Sequence, residues 1–531
     1  MLVRNSLQCT PVALYKMSEL LSNLPKFYIG LSLTVITLSF PYIASFYSSI
    51  RLSRALSRYP WANKTWDAAA KKHFLESADQ IIRDGSELAK GNPFLMNENA
   101  SPKLVLPPKY VNEIKNEKDL NFAKFIGKEF HSAYPGFDAF SSAINETIFQ
   151  DAVRTQLAQV LTLTIEPLAR ETPTTLNKVY GSTPDWKETN LVSGLLKSVA
   201  RLTSLVFLGE NFMDNAEWQE ISIMYTVDVF MAAEALNSWP AMSRPIVHWF
   251  LPQCRKIRSQ VKTAKSLIRP EVERRRADIV AKGGKARRRV LDSVDWFTAA
   301  AKGETFDYTN AELSLAMASI HTTTTTLGFT ISDLLENPEY IDMLREEIKE
   351  SYEQDGKWEK STLFKLKLMD SCIKESMRLH PMAAVNMPRA AVSDITLSDG
   401  TFIPRNTNIS IGPLPMLDPE LFPEPYAYNG RRFLDLRNAA GAENKYQLVT
   451  TTSEFTVFGH GTHACPGRFF ASNEMKLLLA HMLLYYDWKF PEGQEKANHI
   501  IMGTRRGPNP KQKVMFKSRE PEIDIEKMPL A

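Results

Sequence analysis

The stretch Phe458-Gly459-His460-Gly461-Thr462-His463-Ala464-Cys465-Pro466-Gly467-Arg468-Phe469-Phe470 decides how the rest of the chain is read. Its glycines and Pro466 shape the backbone around a single thiol. A helical pattern follows at once, through Met475, Leu478, Leu479, Met482, Leu483 and Tyr486. A thiol at a turn before a helix N-terminus feels the positive end of the helix dipole, which favours thiolate. Glycines beside it let a flat ligand come close. The stretch is therefore a way to present a sulfur anion to a metal. Two plainer readings exist. A lone cysteine is most often a small buried hydrophobe. His460, His463 and Cys465 also crowd together as zinc ligands do, but structural zinc takes four ligands, commonly in two separated pairs, and the sequence offers no second Cys/His pair.

The spacing of Phe458, Gly461, Cys465 and Gly467 resembles the haem-binding loop of the cytochrome P450 family. His463 stands where many members carry arginine. In that family the cysteine thiolate is the axial ligand of haem b (iron protoporphyrin IX) and pushes electron density toward the iron. The resemblance implies that Phe458, Gly461, His463, Cys465 and Gly467 hold the cofactor, with Cys465 on the metal. Upstream, Leu366, Met369, Ile373 and Met377 fit a helix that Pro381 stops. Glu375 and Arg378 lie three apart and share its face. Alone, such a pair is a solvated salt bridge of small value. Beside the cysteine loop it resembles the family's Glu-x-x-Arg helix. Arg432, in Tyr428-Asn429-Gly430-Arg431-Arg432-Phe433, matches the arginine that completes its buried network.

A long helix is expected from Asn310 to about Asn337, with apolar faces at Leu313, Met317, Ile320, Leu327 and Ile331. Inside it run five consecutive threonines, Thr322 to Thr326, which are poor helix formers. A core helix with hydroxyls bonded to the preceding turn is one reading. A helix opened locally to admit water is the other. The resemblance aligns Ala318-Ser319-Ile320-His321-Thr322-Thr323 with the family's oxygen-activation motif, so Thr322 would hold water and relay protons. Ser319 and His321 depart from the glycine and acid usual there, and histidine is itself a candidate proton shuttle. The two haem propionates need cations. His463, Arg389 in Val385-Asn386-Met387-Pro388-Arg389, and Arg154 are the candidates, with a surface arginine as the plainer reading of Arg154. Substrate contacts are expected from Met317, Ile320, His321, Ala383, Ala384, Val385, Met502 and Thr504, or else these side chains simply pack the core.

The chain has 531 residues, 44% of them hydrophobic, and a net charge of +4. Helical periodicity dominates from about Trp66 to Glu353. Strand-like runs come later, at Thr407–Ile411 and Lys513–Phe516. The resemblance implies a mainly α fold with small β-sheets, a cytochrome P450 fold over residues 63–531. Phe27 to Ile50 carries no charge. Twenty-four residues at ~1.5 Å each reach about 36 Å, enough to cross a bilayer. Residues 27–50 are thus expected as one N-terminal transmembrane helix, after a lumenal 1–26 and before a basic linker 51–62. Arg51, Arg54, Arg58 and Lys64 follow it, which is expected to place the bulk of the protein in the cytosol; the resemblance implies that the membrane is the endoplasmic reticulum's. A cleaved signal peptide is the rival, but the run is long for one and no small-x-small site ends it. Cys9, Cys254, Cys372 and Cys465 are too few and scattered for a disulfide framework. Sequons at Asn63, Asn99, Asn145 and Asn408 should be bare in the cytosol. The basic run Arg255–Arg289 lacks interleaved aromatics, so solvated surface is expected rather than nucleic-acid binding.

The resemblance implies a monooxygenase that inserts one atom of O2 into an apolar small molecule. It would take electrons from NADPH through a membrane NADPH-cytochrome P450 reductase and touch membrane lipid. Several motifs look like fungal microsomal members that tailor terpenoids and related secondary metabolites. The alternatives are a haem-thiolate isomerase or dehydratase that needs no reductase, and a non-enzymatic haem protein.

Overall fold

A computed structural model describes residues 49–65, 67–98, 101–145, 147–281 and 292–523. The expected anchor, but for its last two residues, lies outside that range, as do Asn99 and the Arg287–Arg289 triplet. The helix Tyr308–Glu336 runs through the core, with most of its residues buried, and is called the central helix below. Asp307 caps it, its side chain accepting from the Asn310 N–H. That satisfies one of the donors a helix start leaves open. Around it pack the helices Leu191–Leu208, Ala216–Asn237, Pro252–Ala281, Lys367–Leu379 and Arg468–Tyr485. Their apolar faces merge into one large core containing Ile320, Leu327, Leu334, Ile373, Met377, Leu478 and Met482. Among the described residues one helix, Leu191–Leu208, is long and apolar enough to cross a membrane, and 78% of its apolar window is buried inside this core.

The main sheet has six strands, in the order Trp61–Asn63, Phe94–Glu98, Ser101–Leu106, Asn408–Ile411, Asn386–Ala391, Leu120–Asn121. Phe94–Glu98 and Ser101–Leu106 fall inside the stretch expected to be helical. Their adjoining buried runs, Phe94 to Asn97 and Lys103 to Leu106, lack the alternation that marks a half-exposed strand. The expected basic linker is also docked. Leu56 is 2% exposed within a second core with Leu95 and Leu104. The Tyr59 hydroxyl donates to the Phe402 carbonyl at 2.6 Å. A hairpin, Ile500–Met502 with Arg505–Gly507, is held against the body of the protein by backbone bonds. Gly503 N–H donates to Leu75 O at 2.9 Å, Ala384 N–H to Thr504 O at 2.8 Å, and Arg506 N–H to Met382 O at 2.9 Å.

The basic run forms the helix Pro252–Ala281, and one of its arginines is not solvated surface. Arg275 is 9% exposed and bonds Glu271 at 2.7 Å and Asp292 at 2.6 Å. Four consecutive residues on a helix turn through a full face, so one arginine of the Arg274–Arg276 triplet points inward while Arg274 stays out.

Candidate active site

The loop before the helix Arg468–Tyr485 is pinned from several sides. The Cys465 N–H donates to the Phe458 carbonyl at 2.7 Å, closing the turn. Thr462 N–H donates to Lys115 O at 3.2 Å, and the Thr462 hydroxyl to Asn116 Oδ1 at 2.8 Å. Gly461 has φ +72°, and a Cβ there would stand 2.4 Å from Lys115 O. Only glycine fits that close approach. A Cβ on Gly467 would meet no protein atom within 4 Å, so the chain itself does not demand glycine there. Arg468 ties the helix start back to the loop, with Nη1 donating to Cys465 O at 2.8 Å and Nε to Val449 O at 3.2 Å.

The expected thiolate bias is overruled. Burial pushes the Cys465 thiol above its ordinary value, although the backbone N–H groups of Gly467 and Arg468 and the Arg468 charge pull the other way. The loop's dipoles are aimed at the sulfur, but burial outweighs them. Among the described residues no three His, Cys, Asp or Glu side chains come together as a metal-ligand group, His460, His463 and Cys465 included.

Three basic side chains gather beside this loop. Arg389, on the strand Asn386–Ala391, is 2% exposed. Its Nη1 donates to Pro388 O at 2.6 Å, its guanidinium lies 5.5 Å from the Phe122 ring centroid, and its Nη2 has no partner. Burial lowers it to about 10. No carboxylate among the described residues pairs with it. His463 lies 6.3 Å from the same Phe122 ring. Burial, with the nearby charges of Arg389 and Arg154, lowers His463 to about 4, so it stands neutral rather than as the expected cation. Arg154 is exposed, yet its Nη2 donates to Thr462 O at 3.4 Å. One buried guanidinium with an orphaned donor and no acid of its own therefore stands beside the loop, chemistry suited to an anionic group.

The Glu375, Arg378 and Arg432 side chains converge. Glu375 and Arg378 are both 0% exposed. Arg378 grips the carboxylate with Nε to Oε2 and Nη2 to Oε1, each 2.8 Å. Arg432 Nε adds contacts at 3.0 and 3.1 Å. The spare donors reach carbonyls, Arg378 Nη1 to Met416 at 2.8 Å and Arg432 Nη1 to Pro423 at 2.6 Å. Planar guanidinium forks suit this bidentate work. The network fastens the helix Lys367–Leu379 to the segment 416–432 that leads into the cysteine loop.

On the central helix Ala318 and Thr322 are exposed although their neighbours are largely buried. They lie four apart, one above the other, so a solvent-sized space abuts that face. The Thr322 hydroxyl donates to Ala318 O at 2.8 Å. His321 faces elsewhere: its Nε2 donates to Ile223 O on the helix Ala216–Asn237 at 2.8 Å, and burial holds it below its ordinary value. The geometry gives it a strut's role between the two helices. Of the expected substrate contacts, Ile320 is 0% exposed in the main core, and Ala384 and Val385 join a core cluster with Phe74 and Phe94. The Thr504 hydroxyl is committed to Glu98 at 2.8 Å. Met317 is half-buried, Ala383 forms a β-bridge to Arg505, and Met502 is 55% exposed. These last three are the ones still open to a ligand.

Two buried groups had no local signal in the sequence. Glu474 is 1% exposed, on the helix after Cys465. Its Oε1 accepts from the Thr203 hydroxyl at 2.9 Å, and Thr323 faces it. Burial raises it to about 8. Lys374 is 1% exposed and donates to Gln447 O at 2.7 Å and Thr450 O at 3.0 Å.

Comparison with known proteins agrees with this architecture. The cytochrome P450 family model matches residues 145–513. The chain is 40% identical over 459 residues to cytochrome P450 monooxygenase hepE of Aspergillus oryzae, covering 85% of this chain and 83% of that one. It is 38% identical to cytochrome P450 monooxygenase adrA of Penicillium rubens, covering 86% and 90%. The fold is similar to that of retinoic acid-bound cyanobacterial CYP120A1, with a TM-score of 0.64 at 15% identity over 85% of this chain and 96% of that one. With a family match over most of its length and relatives of this closeness, the chain belongs to the cytochrome P450 family of monooxygenases.

Proposed function

We propose that Cys465 is the axial thiolate ligand of haem b in this monooxygenase, and that its substrate is an apolar small molecule of the terpenoid type or a related fungal secondary metabolite. The observation that carries the reading is Arg389, a buried guanidinium with a free Nη2 beside the cysteine loop. Arg389, neutral His463 and Arg154 would hold the propionates, and Phe458 would pack at the sulfur side. The relatives' fungal sources and the fungal-type motifs around Cys465 support the substrate class.

Bound haem supplies the oxygen chemistry, activating O2 for insertion of one atom into a carbon–hydrogen bond. The chain's own residues set the conditions. Gly467 and Arg468 N–H groups point at the sulfur and temper its basicity. Thr322 donates its proton to Ala318 O, which leaves the oxygen's lone pairs to accept from a water on the exposed face. Rotation of that hydroxyl then passes a proton onward. Electrons come from NADPH through NADPH-cytochrome P450 reductase. The protein sits on the endoplasmic reticulum membrane by a single N-terminal span with its catalytic part in the cytosol. Trp239, Met242, Ile246, Trp249 and Phe250, 45–68% exposed within one short segment, support a membrane-facing side.

The test is the reduced carbonyl spectrum of haem-loaded protein. A strongly red-shifted Soret band is expected, and Cys465→Ala should abolish it. Its absence from the folded wild type, or its survival in the variant, overturns the ligand assignment. Turnover of a peroxide substrate without reductase, and none with reductase and O2, would instead identify an isomerase.

A further inference from the structure

Lys374 is a buried cation that neither the Glu375 network nor the cofactor residues use. It lies on the helix Lys367–Leu379, one residue before Glu375, and is 1% exposed. Asp370, one turn earlier, is engaged by Lys476 and Arg437 instead. The Lys374 ammonium sits 4.4 Å from the Phe455 ring centroid and 5.2 Å from that of Phe433. It donates to Gln447 O at 2.7 Å and to Thr450 O at 3.0 Å. Burial lowers it to about 7. A neutral amine still carries two N–H groups for two acceptors, so these bonds hold in either charge state.

The two carbonyls bracket the turn 447–450, which Thr450 N–H closes by donating to Gln447 O at 3.0 Å. Other elements grip the residues between them. Leu448 N–H donates to Asp370 Oδ2 at 3.3 Å, and Val449 O accepts from Arg468 Nε at 3.2 Å. The next residue, Thr451, shares a 3.0 Å hydrogen bond with His460 of the cysteine loop. Arg468 carries the connection to the sulfur. Its Nη1 donates to Cys465 O at 2.8 Å, and its charge favours the sulfur anion. One edge of the guanidinium is thus fixed by Cys465 O and the other by Val449 O. The place of Val449 O is set by the lysine that holds the chain on both sides of it. Without that donor two carbonyls would converge on an aromatic box, and the turn would have to move to satisfy them.

We propose that Lys374 is a positioning residue for the axial ligand: it sets the turn 447–450, the turn sets Arg468, and Arg468 sets the charge beside Cys465. This rests on the haem-thiolate reading above. A cation fixed near the sulfur favours the reduced metal, whose lower charge leaves more negative charge for the cation to stabilise. Loss of the lysine's hold therefore shifts the ferric–ferrous equilibrium toward ferric.

The experiment is a dye-equilibrated reductive titration of haem-loaded, full-length protein, with the reduced carbonyl spectrum recorded beside it. Lys374→Met, similar in length but without donors, should shift the equilibrium at least fivefold toward ferric. Lys374→Gln, shorter but with two N–H donors, should shift it the same way, by at least twofold and by less than the methionine. Arg468→Met should also shift it at least fivefold, and adding Lys374→Met to it should change the result by less than twofold. A lysine that only stiffened the core would lower the melting temperature and leave the equilibrium in place. A wild-type equilibrium in Lys374→Met, or an effect that adds in full to that of Arg468→Met, overturns the proposal. If Lys374→Met does not load haem, Lys374→Gln decides, and a wild-type equilibrium there overturns it. A wild type without the red-shifted carbonyl band means instead that the haem-thiolate reading has failed.

Discussion

Glu375→Gln removes one negative charge from beneath two guanidiniums and changes almost nothing in size. Arg378, 0% exposed, then has a neutral amide where two 2.8 Å charge-assisted bonds stood, and Arg432 loses contacts at 3.0 and 3.1 Å. Uncompensated charge in a buried pair costs about 3–5 kcal/mol. Arg378 and Arg432 keep their carbonyl acceptors, so the lower end applies. At about 2.1 cal/mol/K per residue, a domain of about 470 residues has an unfolding entropy near 1 kcal/mol/K, so Tm should fall by about 3 °C. Thermal unfolding of the haem-loaded protein followed by far-ultraviolet circular dichroism measures this. Arg378→Met combined with Glu375→Met should be less destabilised than the two single changes summed, because the fully buried Arg378 and Glu375 charges leave together and only Arg432, which keeps its carbonyl acceptors, loses its carboxylate. A Glu375→Gln protein that melts with the wild type would refute the idea that the network is an electrostatic frame.

Glu474→Gln should become progressively more stable than wild type as pH rises. The native carboxyl titrates at about 8 and the unfolded one near its ordinary value, so the native state holds the extra proton and stability falls across that window. Urea titrations at pH 5 and pH 8 should show the gap widen and then level off above about 8, since no further native ionisation remains. Arg389→Met should raise the melting temperature of haem-free protein, by removing an unpaired buried cation, yet speed haem loss at least tenfold; a variant that loses haem no faster has no propionate contact at Arg389. His321→Asn should leave the pH dependence of turnover unchanged, because the imidazole is a neutral strut to Ile223; loss of a limb near pH 6 would make it a proton carrier after all.

The parts of this chain that were readable in sequence are those whose logic is local. Glu375 and Arg378 are three residues apart, so one helix turn brings them together whatever else happens. The central helix and the stop at Pro381 follow from periodicity and a missing N–H, while the central helix's start at Tyr308, two residues before the expected Asn310, is set by the Asp307 cap. Arg432 and Arg389 came only through resemblance, because nothing near them in the chain announces what they meet. The expected substrate contacts are of a kind that sequence does not resolve. Ile320 and Val385 are apolar whether they face a ligand or a neighbouring helix, and composition does not separate the two. Glu474 and Lys374 were invisible for the opposite reason: a charged residue in an amphipathic helix reads as surface, and only the packing of three helices around it takes the water away. The Cys465 thiol made the same point from the other side. Its turn and its helix dipole were legible, but the burial that outweighs them was not.

The bond between His321 and Ile223 joins a surface-side helix to the residue beside Thr322. Any displacement of Ala216–Asn237 at Ile223 would carry that carbonyl with it. That motion either breaks the bond or rotates the turn from which Thr322 donates to Ala318. One imidazole therefore couples the position of Ala216–Asn237 to the turn that carries Thr322, so a shift in either is felt by the other.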